Sequence, residues 1–504
     1  MNTAIEQAIE QLNHAAALIV PEIVLLATVC VMFLVGPFLV SPAGQATAGV
    51  RHRWGGLALA ALGTAWLIWF NSTATSATGG PFSADALAWF ARGLSISLGG
   101  VLVLLLWNQV DDAHAAEAHA CLLSIIVGTN LVAAANDLVG LFLALELVSI
   151  PTYVLLYVVR RDRPAREATI KYFLLSVFSS ALVLYGMAWL YGATGTTNLT
   201  GIAQALALSD RGDGDNVIRH VALALLVAGL AFRITAVPFH FYAPDVFQGQ
   251  PASNAALLSF LPKVVGFVAL VRLLPLTGAS ITTRLWLPDE SARTLLAILA
   301  VATMFVGNLM ALRQKHLFRL LAYSSIAHAG YMLIGLAVGN VGVAGGTSAV
   351  LFYLAAYGLM TIGVFALLRG AASGEHSLET IGDLRGLSYT HPSTALLLAV
   401  CLLSLTGLPP TAGFLGKLYL FLAAWGETTA VGHWLAGLLA LNAAIAAFYY
   451  LRLVAVMYLE PATHRAARSV DVAAWLGGLA CTVATLVLFA QPQWLWDVVQ
   501  RAAG

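Results

Sequence analysis

Lys171, Lys263 and Lys417, three of the four lysines in a chain of 504 residues, lie inside long apolar runs, as do Glu146 and Arg233. Lysine and glutamate side chains hold and exchange protons. An ionisable group at the centre of a membrane helix costs about 2.5–3.5 kcal/mol, so five that faced lipid would cost roughly 10 kcal/mol or more. They are expected to face a protein interior or trapped water. Burial disfavours the charged form of an amine, and an opposite charge nearby restores it. Lys263, near the middle of its run, is therefore the expected proton carrier, and Glu146 the partner whose approach and withdrawal hold the proton and let it go. Arginine keeps its proton in proteins, so Arg233 is expected to be a fixed counter-charge to Glu146, with titration left to Lys263 and Lys417.

Other candidates admit two readings each. Lys171 lies five residues beyond Arg166, so it either joins an input path or snorkels to the interface. His328, among small and hydroxyl residues, is either a proton shuttle or a hydrogen-bonded core histidine. His240 follows Pro238 and either joins the path or caps carbonyls that the proline frees. Glu22, Asp85 and Arg92, near span ends, read as interfacial anchors or subunit contacts, and Arg272 as interfacial.

The elements that must position these groups are membrane helices. The chain is 60% hydrophobic and 10% charged, against about 25% charged in soluble domains. Apolar runs of near-spanning length, about 20 residues, recur about fourteen times, giving an all-α polytopic class. The segment MNTAIEQAIEQLNHAAA lacks a basic stretch, so the first span reads as a retained helix. Arginine and lysine between spans fall unequally, fourteen on one side (Arg51 and Arg160 among them) and five on the other. The richer loops are expected in the cytoplasm, and an even span count places both termini outside.

Several classes are excluded. A net charge of +1 offers no surface for nucleic acid. Cys30, Cys121, Cys401 and Cys481 are far apart, each within an apolar run, and read as small buried hydrophobes, with no disulfide framework, haem or cluster. The acidic stretch from Ser209 to Asp215 lacks the spacing and terminal glutamate of an EF-hand and reads as a solvated loop. No connection is long enough to fold a soluble core of its own.

Two spans are marked as broken. Pro238 interrupts the run holding Arg233, and Gly407, Pro409 and Pro410 interrupt another just before Lys417. Proline removes a backbone donor and clashes with the preceding turn. Irregular backbone at membrane depth lines cavities, and broken helices in corresponding places of two halves point to a transport route at an inverted repeat. Phe142, Ser149 and Ile150 align with Phe318, Ser325 and Ile326, five spans later, so the copies would be inverted.

The strings PEIVLL (Glu22), DALAWFARGL (Asp85, Arg92), LALELVSIPTYVL (Glu146), EATIKYFLL (Lys171), VPFHFYAPDVFQG (His240), LLSFLPKVVGF (Lys263), RLLAYSSIAHAGY (His328) and GLPPTAGFLGKLYLF (Lys417) carry a resemblance. Together they resemble the antiporter-like membrane subunits of the proton-pumping NADH:quinone oxidoreductase, respiratory complex I, and among these the subunit N type. The related M type has glutamate on its second broken helix, and the L type a long lateral helix.

The resemblance implies a three-helix segment (1–114), two inverted five-helix repeats (115–275 and 293–456) and a C-terminal helix (471–504). It implies a proton path in the membrane arm, through Glu146, Lys171, Arg233, His240, Lys263, His328 and Lys417, driven by quinone chemistry elsewhere. NADH, FMN, iron–sulfur clusters and quinone would belong to partner subunits, and this chain would hold no cofactor. The partners are other membrane-arm subunits and lipid, in a bacterial inner membrane. The family usually has lysine where Arg233 stands, which puts that position in doubt as a carrier. Competing classes are a multi-subunit Na+/H+ antiporter of the Mrp type, a membrane hydrogenase arm and a scaffold without transport; the last has no use for mid-span lysines.

Overall fold

The computed structural model describes residues 15–40, 49–73, 78–208, 213–277, 290–340, 345–372, 378–427, 429–462 and 470–503. Apart from a short antiparallel pairing of Thr78–Gly79 with Phe82–Ser83, the described elements are helical. The N-terminal part holds α1 (Val20–Val35), α2 (Val50–Phe70) and α3 (Ala86–Leu106). Next come α4 (Ala115–Ala134), α5 (Leu138–Val159), α6 (Arg163–Thr194), the short α7 (Leu199–Leu208), α8 (Asp213–Arg233), α9 (Ala243–Gly249) and α10 (Ala252–Leu273). The rest comprises α11 (Glu290–Leu312), α12 (Leu317–Val338), α13 (Gly346–Ala371), the single turn α14 (Leu387–Thr390), α15 (Pro392–Thr406), α16 (Ala412–Trp425), α17 (Ala430–Leu459), α18 (Val472–Ala490) and α19 (Pro492–Ala503). Eleven segments among the described residues are long and apolar enough to cross a membrane. The chain is a multi-pass membrane protein.

Burial sorts the helices into a centre and a wall. α4, α10, α12 and α13 are enclosed on nearly every side, and each is apolar all round, as an enclosed helix must be. α1, α5, α6, α11, α17 and α18 surround them and turn Leu34, Leu143, Leu174, Leu309 and Phe448 outward. A charge on a central helix therefore has only protein to solvate it, and Lys263 on α10 and His328 on α12 are such groups.

Both expected breaks are present. α8 stops at Arg233, and helix resumes as α9 beyond Pro238. Between them Thr235 has a φ of 58°, a left-handed backbone that a β-branched residue rarely adopts. The freed N–H of Val237 donates to Thr303 Oγ1 of α11 at 3.1 Å. α15 stops at Thr406, where Gly407 takes a φ of 88°, a conformation open to glycine at no steric cost. Pro409 and Pro410 then separate it from α16.

A backbone clasp occurs twice. The N–H of Leu138, first residue of α5, donates to Thr197 O at 2.8 Å, and Leu199 N–H returns to Asn136 O at 3.0 Å. The N–H of Leu317, first residue of α12, donates to Glu379 O at 2.7 Å, and Ile381 N–H returns to Lys315 O at 3.1 Å. Each clasp thus ties the start of one helix to the segment following the next long helix.

Three expectations need correction. Cys30 is exposed on α1, whereas Cys121, Cys401 and Cys481 are buried; α1 belongs to the wall, so a small apolar thiol there faces outward. The chain does not end with one helix, because α19 follows α18. Its twelve residues carry Gln493, Asp497 and Arg501 beside Trp494 and Trp496, a mixed composition that a search for apolar runs passes over. In the acidic stretch, 209–212 lie outside the described residues, and Asp213 begins α8 rather than continuing a loop.

Candidate functional site

Glu146 lies on α5, a helix whose first turn is capped by Asp137 accepting from Val139 and Gly140 N–H. Its carboxylate accepts a hydrogen bond from Ser180 of α6. Arg233, the last residue of α8, brings Nη2 to 3.8 Å from Glu146 Oε1. The closer partner of Arg233 is Ser149, one turn beyond Glu146, whose Oγ accepts from Nη2 at 2.9 Å. The expected counter-charge pairing is therefore present but loose, with Ser149 holding the guanidinium. Tyr172 and Tyr242 pack against neighbouring Phe232 and close the site.

The break places the next group. Arg233 is followed by Ile234 and Thr235, whose irregular backbone leaves a carbonyl and a hydroxyl facing α10. Lys263 takes both: Nζ donates to Ile234 O at 3.2 Å and to Thr235 Oγ1 at 2.8 Å. A third bond runs to Ser325 O of α12 at 2.6 Å. An ammonium has three donors, and these three acceptors use them all. The Tyr357 ring lies 5.8 Å from Nζ, and its hydroxyl donates to Ser325 Oγ at 2.8 Å.

His328 stands one turn beyond Ser325 and is held at both ring nitrogens. Nδ1 meets the Tyr353 hydroxyl at 2.5 Å and Nε2 the Tyr450 hydroxyl at 3.0 Å; Tyr450 also bonds Ser324. A neutral imidazole donates from one nitrogen and accepts at the other, so one tyrosine must donate while the other accepts. The Tyr357 and Tyr331 rings lie 5.1 and 5.5 Å from the imidazole. Lys263 and Lys417 both lie within electrostatic reach of it.

Lys417, in the second turn of α16, reaches back across the second break. Nζ donates to Leu405 O at 2.9 Å and Thr406 O at 2.7 Å, the exposed carbonyls at the C-terminal end of α15, where a helix favours a cation. Gly407 leaves room for the stem, since a Cβ there would lie 2.8 Å from Lys417 Cδ. The Tyr331 ring is 5.3 Å from Nζ. Ser180 and Glu146, on the wall helices, lead by Arg233 to Lys263, Ser325 and His328 in the centre and on to Lys417 at the second break, forming one line.

Two expected path residues lie apart from this line. Lys171, with its side chain 40% exposed, bonds Asp245 Oδ2 at 2.7 Å and Glu167 Oε1 at 2.8 Å. Asp245 also takes Arg319 Nη1 at 2.6 Å, forming an ionic cluster at the arginine-rich end. His240 sits in the first break, part-buried, with Nδ1 unpartnered. Arg272, in the last turn of α10, forms a bidentate pair with Asp85, the N-cap of α3, at 2.5 and 2.8 Å. Arg92 donates to Glu22 at 2.7 Å in a pair buried between α1 and α3, so these two anchor helix to helix.

Sequence reasoning passed over Ser180, Thr235, Tyr331, Tyr353, Tyr357 and Tyr450, and met Ser325 only as a repeat marker. Tyr353 and Tyr357 stand four apart on α13, a helix otherwise nearly without polar groups, and that spacing is the signal that could have found them. Among the described residues no cluster of histidine, cysteine, aspartate or glutamate suits a metal ion.

Residues 135–445 match the family described as NADH:quinone oxidoreductase/Mrp antiporter, transmembrane. The chain is 41% identical over 379 residues to NADH-quinone oxidoreductase subunit N of Trichlorobacter lovleyi, covering 75% of each. It is 35% identical over 491 residues to the subunit N of Rhodospirillum rubrum, covering 96% of each. Among solved structures, a chain of respiratory complex I from Thermus thermophilus with bound aureothin is 31% identical, with a TM-score of 0.78 over 96% of this chain and 100% of that one. The breaks, the buried lysines and these similarities agree: the chain belongs to the NADH:quinone oxidoreductase/Mrp antiporter family.

Proposed function

We infer that this chain is the subunit N of a proton-translocating NADH:quinone oxidoreductase and works beside other membrane-arm subunits. The observation that carries the reading is the central line of exchangeable groups, in which both lysines are solvated by neutral carbonyls and hydroxyls. A fixed structural charge is normally paired with its opposite. These two amines are held in a way that supports a charge without trapping it.

The roles follow from the donors and acceptors. Ser180 and Ser149 hold Glu146 and Arg233 a short distance apart, so that a modest displacement makes or breaks their interaction. A change in that pair acts on Lys263 through the backbone, because Arg233 and the Lys263 acceptors Ile234 and Thr235 are consecutive. The Thr235 hydroxyl donates to Ile234 O at 2.6 Å and accepts from Lys263; by rotating it offers its own hydrogen to a neutral amine. Beyond Lys263, exchange of imidazole tautomers at His328, with Tyr353 and Tyr450 reversing donor and acceptor, passes a hydrogen toward Lys417.

Two repeated units, 115–275 and 293–456, are supported by the paired breaks and the paired clasps. The clasps set Leu138 against Leu317, a register three residues from that of the Ser149 and Ser325 alignment, so that Ser149 corresponds to His328 and Glu146 to Ser325. Redox cofactors and quinone are assigned to partner subunits. The arginine-rich loops belong in the cytoplasm and both termini outside, in a bacterial inner membrane. Purification tests the assignment. The chain should co-purify with other hydrophobic subunits and a quinone-reducing enzyme, and full activity of the isolated chain as a transporter in liposomes would defeat it.

A further inference from the structure

A second buried polar cluster lies beside the line and belongs to none of the roles above. Asn308 of α11 is fully buried. Its Nδ2 donates to the Tyr331 hydroxyl at 2.8 Å and to Asn442 Oδ1 of α17 at 3.0 Å. Its Oδ1 accepts from Tyr449 at 3.1 Å. One amide thereby fixes two tyrosines, each adjoining the proton line from a different side. The ring of Tyr331 stands between His328 and Lys417, 5.5 Å from the imidazole and 5.3 Å from Nζ. Tyr449 packs at 4.5 Å between centroids on Tyr450, the partner of His328 Nε2.

The backbone is shaped to bring this short side chain into reach. A Cβ on Gly307 would lie 2.5 Å from Ala327 N, and one on Gly330 would lie 2.5 Å from Met304 N. Small residues allow two membrane helices to approach at their backbones, and here each glycine immediately precedes one member of the pair, Asn308 and Tyr331. A buried amide normally spends all its bonds. Asn308 does so on tyrosines of two helices and on one other asparagine.

We propose that Asn308 is a positioning residue for proton transfer between His328 and Lys417, acting by holding Tyr331 over the lysine and Tyr449 against Tyr450. Its bond to Tyr331 uses the hydroxyl oxygen as acceptor, so the hydroxyl hydrogen remains directed by the rest of the site rather than by α11. The inference rests on the proposed use of His328 and Lys417 as carriers.

The test uses the assembled complex in inverted membrane vesicles, with pumping expressed per assembled complex. Asn308→Leu, similar in size but unable to hydrogen-bond, should slow pumping about tenfold, in keeping with the cost of misplacing a reacting group. It should raise the solvent deuterium isotope effect and displace the pH profile. Tyr331→Phe should reproduce all three changes, and the double variant should add little. A role limited to packing would lower the amount of complex while leaving isotope effect and pH profile as in the parent, and that result overturns the proposal. Should Asn308→Leu fail to assemble, Tyr331→Phe decides alone. Lys417→Ala and His328→Phe serve as controls. If they pump normally, the carrier reading itself fails; if they are inactive while Asn308→Leu and Tyr331→Phe behave as the parent, only the present inference falls.

Discussion

Buried cations occur in two settings in this molecule. Between α1 and α3 Arg92 meets Glu22 at 2.7 Å, and at the partly exposed end of α10 Arg272 meets Asp85 through two bonds. In the centre, Lys263 and Lys417 meet carbonyls, hydroxyls and aromatic rings instead. The first arrangement uses a cation that keeps its proton, locked to a carboxylate, and it joins helices distant in sequence. The second uses a cation that can lose its proton, among acceptors that tolerate both forms. Arg233 stands between the two, since it has arginine chemistry but only a loose carboxylate partner. On the proposed reading, the type of cation and the type of partner separate anchoring from transport more sharply than burial does.

The comparison is broken most directly at Lys263. Lys263→Ala should reduce quinone-linked proton pumping at least about a hundredfold, the lower range of a positioned proton-transfer group. Lys263→Arg should fail as well, because it restores charge without exchange. Full pumping by the arginine variant, measured in inverted vesicles, would show that the site needs charge alone.

Arg233 sharpens the comparison, with a smaller expected loss. Arg233→Lys should keep most activity. Arg233→Ala should cost several-fold by leaving Glu146 without its nearby cation, and Glu146→Gln added to it should cost little more, since the two changes remove one interaction. Strictly additive losses in the double variant would mean that the two groups act separately.

At the anchors the effect should fall on assembly instead of turnover. Glu22→Ala leaves Arg92 unpaired, and breaking one side of a buried pair costs about 3–5 kcal/mol. Less complex should therefore accumulate, while pumping per assembled complex stays near that of the parent. A selective loss of pumping at normal assembly would put Glu22 and Arg92 in the proton path. The smallest effect is expected at Lys171, whose exposed ion pairs are worth about 0–1 kcal/mol. Lys171→Ala should lower pumping by less than about twofold, and a larger loss would extend the line to the ionic cluster around Asp245.

Much of the centre was legible in the sequence because its features are costly. Lys263, Lys417 and Glu146 stand out against apolar neighbours, and Pro238, Gly407, Pro409 and Pro410 mark where helix cannot continue. What stayed hidden was the solvation of those charges. Lys263 rests on carbonyls of Ile234 and Ser325, and a backbone carbonyl has no signature in a residue type. Tyr331 and Tyr450 look like ordinary core aromatics until a partner is placed beside them. The partner of Arg272 was hidden because Asp85, 187 residues away, is brought to it only by the packing of α10 against α3. α19 was missed because its composition is mixed.

The two backbone clasps bear on mechanics as well as on symmetry. Each fastens one end of its group of helices through the backbone, while ion pairs join the other end: Lys171 to Asp245 in the first half and Arg293 to Glu427 in the second. In the first half the clasp sits where α5 begins, opposite the loop bearing Arg160, and in the second where α12 begins, next to Arg313 and Lys315. The ion-paired end of the first half therefore faces the arginine-rich surface, and the ion-paired end of the second half faces the opposite one. Two clasps at opposite faces give the molecule a direction: hydrogen-bonded backbone ties the helices together at one membrane face in the first half and at the other face in the second.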